Sequence, residues 1–379
     1  MPRRNPWRSP AARTLWVGFI LALVGLGNAA AQTLSPAAEP VPPMGATCLF
    51  NDSHFHLTNY IQEGPDARAV LKIMEGRVCR STLFGIPLQQ QWSDRLTGDL
   101  APTYYMDTDA RLYYYSFTDA DIAMRYLALN KEERARFDPM ITGFNPTDMY
   151  AADHVRRVLK TFPGVFEGIG EFSIHKEFVS AKVAGDVASL NDPALDRLLD
   201  FAGEVGLVAI FHNDIAMPFS KKENARFYFG QMEAALRRHP NTTIIWAHTG
   251  LGRIVQPQGE HLKFLEEILS NPALSNVYFD LSWDEVAKYV LHDPATTAAT
   301  AALINKYPDR FLFGTDVVAP KDAAQYFSIY QDYQPLWAAL TPEASEKVRK
   351  ANYVRLFDAA RVKVRAWEAA NLPPAAVTQ

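Results

Sequence analysis

Cysteine is almost missing from this chain: Cys48 and Cys79 are the only two in 379 residues. That is too few for a small scaffold held together by several disulfides. Excess positive charge is missing as well, since 38 basic residues face 42 acidic ones. A polyanion-binding surface needs a basic balance, so nucleic acid is not an expected partner. A long apolar run is also absent. The longest, Leu15 to Gly27, falls short of the roughly 20 residues that span a bilayer, and Gly18, Gly25 and Gly27 interrupt it. No internal repeat and no low-complexity tract marks the middle of the chain. What remains is an ordinary globular composition, 48% hydrophobic and 21% charged.

The first 31 residues differ from the rest. Arg3, Arg4, Arg8 and Arg13 form a basic start, the apolar run follows, and Ala29-Ala30-Ala31 supplies small residues before Gln32. This pattern predicts a cleaved secretory signal and an exported protein, periplasmic or secreted, with no stable membrane span. Arg3-Arg4 hints at twin-arginine export, but Asn5-Pro6-Trp7 fits that signal poorly. Cleavage removes four arginines and no acid, so 34 basic residues face 42 acidic ones and the formal charge moves from −4 to −8. Residues 32–47, rich in Pro and Ala, predict a disordered lead-in. Residues 48–379 then form one domain. Export permits oxidation of Cys48 and Cys79, placed at the starts of neighbouring strands; a bridge and two buried thiols both remain open.

From there the chain alternates short apolar runs with helical patterns. Strands are expected near Leu49, Cys79, Met140, Val165, Leu207, Thr243, Val277 and Phe311. The last four start 36, 34 and 34 residues apart, enough for a strand and a return helix. Ala194 to Val205, Asn224 to His239 and His261 to Ser270 supply such helices. Eight βα units predict a closed (β/α)8 barrel. Three insertions follow strand ends, the face that carries active sites in barrels. The longest, after the second strand, spans residues 88–136. It holds Trp92, Tyr104, Tyr105, Tyr113, Tyr114, Tyr115 and Phe117, and a helical stretch from Asp119 to about Leu129. Residues 173–193 and 213–223 are shorter excursions.

The strand ends carry the chemistry. His54 and His56 close the first strand in Asp52-Ser53-His54-Phe55-His56, and side chains two apart on a strand share a face. The fourth strand ends in Glu171 after Gly168-Ile169-Gly170, the fifth in His212, the sixth in His248 and the eighth in Asp316. Each alone has an ordinary explanation as a cap or loop residue. Together they converge on one mouth, and imidazole with carboxylate suits zinc or another divalent first-row metal. The other five histidines, His154, His175, His239, His261 and His292, fall in helices or loops and read as solvated or capping groups.

At this point the chain resembles the amidohydrolase superfamily, and within it the amidohydrolase-related (type 2) branch. The resemblance covers residues 48–358. It rests on the Asp-x-His-x-His at 52–56, Gly168-Ile169-Gly170-Glu171, His212, His248, Phe313-Gly314-Thr315-Asp316 and the closing Asn352 with Leu356-Phe357. It implies a first ion on His54, His56 and Asp316, a second on His212 and His248 when present, and Glu171 between them. Many members carry a carboxylated lysine where this chain has Glu171, so one ion or two remains open. The resemblance further implies hydrolysis of an ester, lactone, amide or related bond of a small molecule. Asp316 would take and return a proton, and His248 would polarise the oxygen of the bond. Arg253, after His248-Thr249-Gly250-Leu251-Gly252, is a candidate for a substrate carboxylate. The alternatives are a non-oxidative decarboxylase of the same fold and an exported barrel that binds a metal or ligand without turnover.

Overall fold

The computed structural model describes residues 48–59, 62–86, 117–176, 188–216, 227–253, 255 and 260–372, with the backbone of short paired segments at 91–92, 106–107, 182–183 and 186–187. The expected signal at 1–31 and lead-in at 32–47 lie outside the described residues. So do most of the aromatic insertion, Arg253's neighbour at 254, and much of the two shorter excursions. Among the described residues no helix is long and apolar enough to cross a membrane.

Eight strands form one parallel sheet in chain order: β1 Phe50–Asp52, β2 Val78–Leu83, β3 Phe137–Ile141, β4 Gly168–Ser173, β5 Val208–His212, β6 Thr243–Trp246, β7 Val277–Leu281 and β8 Phe311–Phe313. The sheet closes on itself where Ser53 N–H donates to the Phe313 carbonyl at 3.0 Å. Beyond that seam Phe55–His56 pairs with Val317–Val318, again in parallel. This is the expected (β/α)8 barrel. Strand β3 begins three residues before Met140 and β4 three after Val165, because ladder pairing rather than apolarity sets their limits.

Side chains alternate across the barrel wall. Val208 and Ile210 of β5, Ile245 of β6 and Leu312 of β8 pack inside with Met140, while Ala209, Phe211, Ile244 and Trp246 face the helical layer. Period-two alternation thus carries His212 to the inside at the strand's end. The expected helices appear at Pro193–Val205, Phe227–Arg238 and His261–Leu269, and the one within the aromatic insertion at Thr118–Leu127. Asp192 caps the first of these by accepting from Ala194 N, with Pro193 at its first turn.

The last helix, Asn352–Asn371, seals the end opposite the strand tips. Tyr353, Leu356 and Phe357 plug the barrel interior there. A buried ion network fixes it: Asp138 accepts from Arg80 and Tyr353, each at 2.6 Å, and Glu167 from Arg365 at 2.6 Å. Burying these charges is tolerable only because each is paired. Cys48 and Cys79 are disulfide-bonded, with Cα atoms 5.4 Å apart, which joins the start of β1 to β2.

Candidate metal centre

All six residues expected from the strand ends meet at the barrel mouth. His54, Glu171, His248 and Asp316 each offer a ligand atom within 4.8 Å of every other. His56 joins one side, its Nε2 3.1 Å from Asp316 Oδ1 and 3.7 Å from Glu171 Oε2. His212 joins the other, its Nδ1 3.3 Å from Glu171 Oε1. Glu171 therefore sits centrally. Its Oε2 faces His54 and His56, and its Oε1 faces His212 and His248.

Local backbone shape makes this convergence possible. His54 and His56 share a face opposite Phe55 and Leu57, which pack into the helical core. On β6, Ile245 and Ala247 already point inward, so simple alternation would turn His248 outward. A left-handed turn at His248 (φ 58°) and Thr249 (φ 52°) re-aims the imidazole. Asp316 is likewise left-handed, at φ 54°. Such conformations cost of order 1–3 kcal/mol each in non-glycine residues and cluster at functional sites. Gly314 lets the two seam strands touch, since a Cβ there would strike His54.

Each histidine has its outer nitrogen engaged. His54 Nδ1 donates to Asp280 Oδ2 at 2.9 Å, and His212 Nε2 to Asp214 Oδ1 at 2.8 Å. His56 Nδ1 faces the Gly85 carbonyl at 3.5 Å. His248 Nδ1 lies 2.7 Å from Ser282 Oγ, which itself donates to Asp280 Oδ1 at 2.5 Å and so accepts from the imidazole. In each neutral ring the inner nitrogen is then a bare lone pair aimed at carboxylates. His54 Nε2 and His212 Nδ1 are buried with no hydrogen-bond partner. Lone pairs facing carboxylate oxygens at 3.3 Å repel, so a proton on the ring or a metal cation must stand between them. This donor set, two carboxylates and four oriented imidazoles, fits a divalent metal.

The electrostatics agree. Burial works to raise the carboxyls of Glu171 and Asp316, but their cationic and imidazole neighbours outweigh it. Lys176, His212 and His248 hold Glu171 well below the usual range, and His54, His56 and His248 lower Asp316. Burial works to lower His54, yet Asp316 and Asp280 hold it well above the histidine range. Burial lowers His248, keeping it neutral. The centre is thus a place where positive charge is stabilised.

The sequence model of the amidohydrolase family matches residues 52–359. The chain belongs to the amidohydrolase family. It is an enzyme of amidohydrolase type, and the family usually binds a divalent metal. Among solved structures it is similar to a Pseudomonas putida protein described as a 2-pyrone-4,6-dicarboxylic acid hydrolase. That match has 12% identity, covers 82% of this chain and 98% of that one, and has a TM-score of 0.50. It is also similar to 2,6-dihydroxybenzoate decarboxylase from Rhizobium, at 13% identity over 82% and 99% of the two chains, TM-score 0.50. At these identities the likeness is one of fold. No curated protein matches the chain.

Several site residues were not found from the sequence. Asp280 and Ser282, two apart at the tip of β7, had the same strand-end signature as His54 and His56, and Asp214 follows His212 by two. Lys176, 7% exposed, places its Nζ 3.6 Å from Glu171 Oε2. Asp52 accepts from His54 N, from Thr315 N and Oγ1 and from Tyr326 OH, tying β1 to β8 beside the centre. The reading of the remaining histidines needs correction. His239 is 3% exposed, held between Asp196 and Asp200 at 2.8 Å each, and His261 is 4% exposed against Thr249. Neither is solvated, because partners from other elements cover them. His154 meets Asp119 at 3.3 Å and His175 stacks on Tyr228 at 4.0 Å, while His292 is exposed. Arg253 is exposed and paired with Glu285 at 3.3 Å.

Proposed function

We propose that this chain is an exported, metal-dependent hydrolase that cleaves an ester, lactone, amide or related bond of a small molecule. The observation that carries the reading is the orientation of the four imidazoles, each held from outside with its inner nitrogen left to a cation. His54, His56 and Asp316 would hold one ion, His212 and His248 a second when present, with Glu171 shared. The oxygen and nitrogen donors suit zinc. A bound divalent ion supplies Lewis acidity, lowering the pKa of a water from 15.7 to about 7.

The protein's own groups do the rest. Asp316, held ionised at the centre, accepts the proton of the attacking water and returns it to the leaving group. Of the two roles open to His248, the hydrogen-bond chain through Ser282 to Asp280 favours ligand over donor, since it leaves Nε2 without a proton. Arg253 is proposed to bind a substrate carboxylate. The signal at 1–31 supports export to the periplasm or beyond, and weighs against a decarboxylase of intracellular catabolism. The acidic charge of −8 after cleavage weighs against a nucleic-acid partner.

The test is a screen of ester, lactone and carboxylic-acid substrates with zinc-loaded protein. Release of acid from an ester or lactone supports the hydrolase. Release of carbon dioxide from a carboxylic acid replaces it with a decarboxylase. Tight metal binding with no turnover of any class leaves a binding barrel.

A further inference from the structure

Three successive residues at the tip of β6 have left-handed backbone: His248 at φ 58°, Thr249 at 52° and Gly250 at 74°. Glycine adopts it freely. For a β-branched residue such as Thr249 it is an outlier, maintained only by its surroundings. Three hydrogen bonds support the turn. His248 N–H donates to Asp280 Oδ1 at 2.7 Å, Leu251 N–H to the His248 carbonyl at 3.0 Å, and Ile215 N–H to the Gly250 carbonyl at 2.7 Å. None of the three uses a group of Thr249. Rings flank the His248 imidazole: His54 at 4.8 Å, His212 at 4.9 Å and Trp283 at 5.3 Å, the indole in turn lying with its centroid 5.7 Å from Lys176 Nζ. Ring contacts place the imidazole but do not hold the backbone at Thr249.

That residue is held from behind. Thr249 is 1% exposed, and its Oγ1 lies 3.3 Å from His261 Nε2, its hydrogen-bond partner among the described residues. His261 opens the helix His261–Leu269. The buried stripe of that helix is His261, Phe264, Leu265, Ile268 and Leu269, the spacing of one helix face. Phe264 stacks on Phe229 at 4.9 Å, which fixes the helix to its neighbour Phe227–Arg238. An aliphatic side chain would suit the first place in such a stripe. The chain puts an imidazole there instead, and a buried polar group costs stability unless it is hydrogen-bonded. The bond it makes goes to Thr249, next in sequence to His248.

We propose that His261 is a positioning residue for the metal centre: through the Thr249 hydroxyl it holds the left-handed turn that aims His248 at Glu171. It touches no reacting atom. The inference rests on the metal-dependent hydrolase reading for what that aim serves, while the hold itself can be measured in metal-free protein.

The experiment is amide hydrogen exchange followed by NMR, with zinc affinity measured by competition against a chelator. In metal-free His261→Leu and Thr249→Val, the Leu251 amide, which bonds the His248 carbonyl, should exchange about five- to tenfold faster, the worth of one buried hydrogen bond. The strand amides of Ile244 and Ile245 should keep their wild-type rates. The double variant should do no more than either single one, because the two side chains act as a pair. Zinc affinity should fall about tenfold or more in both single variants. Thr249→Ser, which keeps the hydroxyl, should restore both readouts. Thr249→Val decides alone where His261→Leu does not fold. Unchanged Leu251 exchange, additive effects in the double variant, or zinc affinity that stays at the wild-type value overturns the positioning role. So does an even loss of protection across the barrel, which marks His261 as a core residue only. Local loosening at Leu251 in a protein whose wild type binds no zinc sinks the metal-centre reading and leaves the hold on the turn standing.

Discussion

Asp280 Oδ2 accepts a hydrogen bond from His54 Nδ1 at 2.9 Å, both side chains fully buried. Its other oxygen receives Ser282 Oγ and the His248 N–H, at 2.5 and 2.7 Å. One carboxylate on β7 thus sets the orientation of imidazoles from β1 and β6.

Asp280→Asn keeps the size but introduces an amide that must turn either an N–H or a C=O toward each partner. Metal affinity should fall about 10–100-fold, the usual effect of removing an orienting partner, with the melting temperature of the metal-free protein changed far less. Competition against a chelator of known affinity measures it. Unchanged affinity would mean that Asp280 does not orient His54.

Asp316→Asn loses the proposed anionic base at the position where the seam strands meet. Turnover per bound ion should fall about 10²–10⁴-fold, the typical contribution of a positioned acid-base group. Metal content is measured in the same samples, since Asp316 is also a proposed ligand. His292→Ala, on an exposed side chain, should leave both unchanged. Full activity per ion in Asp316→Asn removes the proposed base.

Burial pulls His261 down to about 4 from its ordinary value near 6.5. The unfolded chain therefore takes up a proton below about 6.5 that the folded state refuses until about 4, so stability falls as pH drops through that window. Between pH 7 and 5, wild type should lose about 2 kcal/mol more than His261→Leu, by one and a half pKa units at 1.36 kcal/mol each. Urea midpoints of the two proteins at both pH values test this. Parallel losses would show that His261 stays charged or solvated.

The disulfide closes a loop between positions 31 apart in sequence. Reduction, or Cys79→Ala, should cost about 2–4 kcal/mol of stability. The same preparations test export: protein from its native host should begin near Gln32. An intact residue 1–31 segment on cytoplasmic, reduced protein would overturn that expectation.

The barrel was legible because its signals are local. Each strand is a short apolar run, and five of the tips carry the six ligand-type residues that period-two alternation or a single turn carries inward. What escaped depends on apposition. The inward aim of His248 comes from a left-handed turn that no periodicity encodes. Asp280 and Ser282 matter only because β7 lies beside the residues they hold. Lys176 and Trp283 stand on different loops, and nothing in either local sequence announces that they meet. His239 and His261 looked solvated because the carboxylates and hydroxyl that cover them belong to other helices and loops. Cys48 and Cys79 left two readings open, and the pairing of β1 with β2 decided between them.

The four oriented imidazoles and two carboxylates at the barrel mouth could hold a divalent cation. Elemental analysis of purified mature protein, followed by chelation and back-titration with zinc, tests it most directly. The prediction is one to two equivalents of a divalent metal as isolated, lost on chelation with loss of hydrolysis, and restored by zinc, with His54→Asn and Glu171→Gln failing to rebind it. Protein that carries no metal, binds none on titration and turns over substrate regardless would contradict the account.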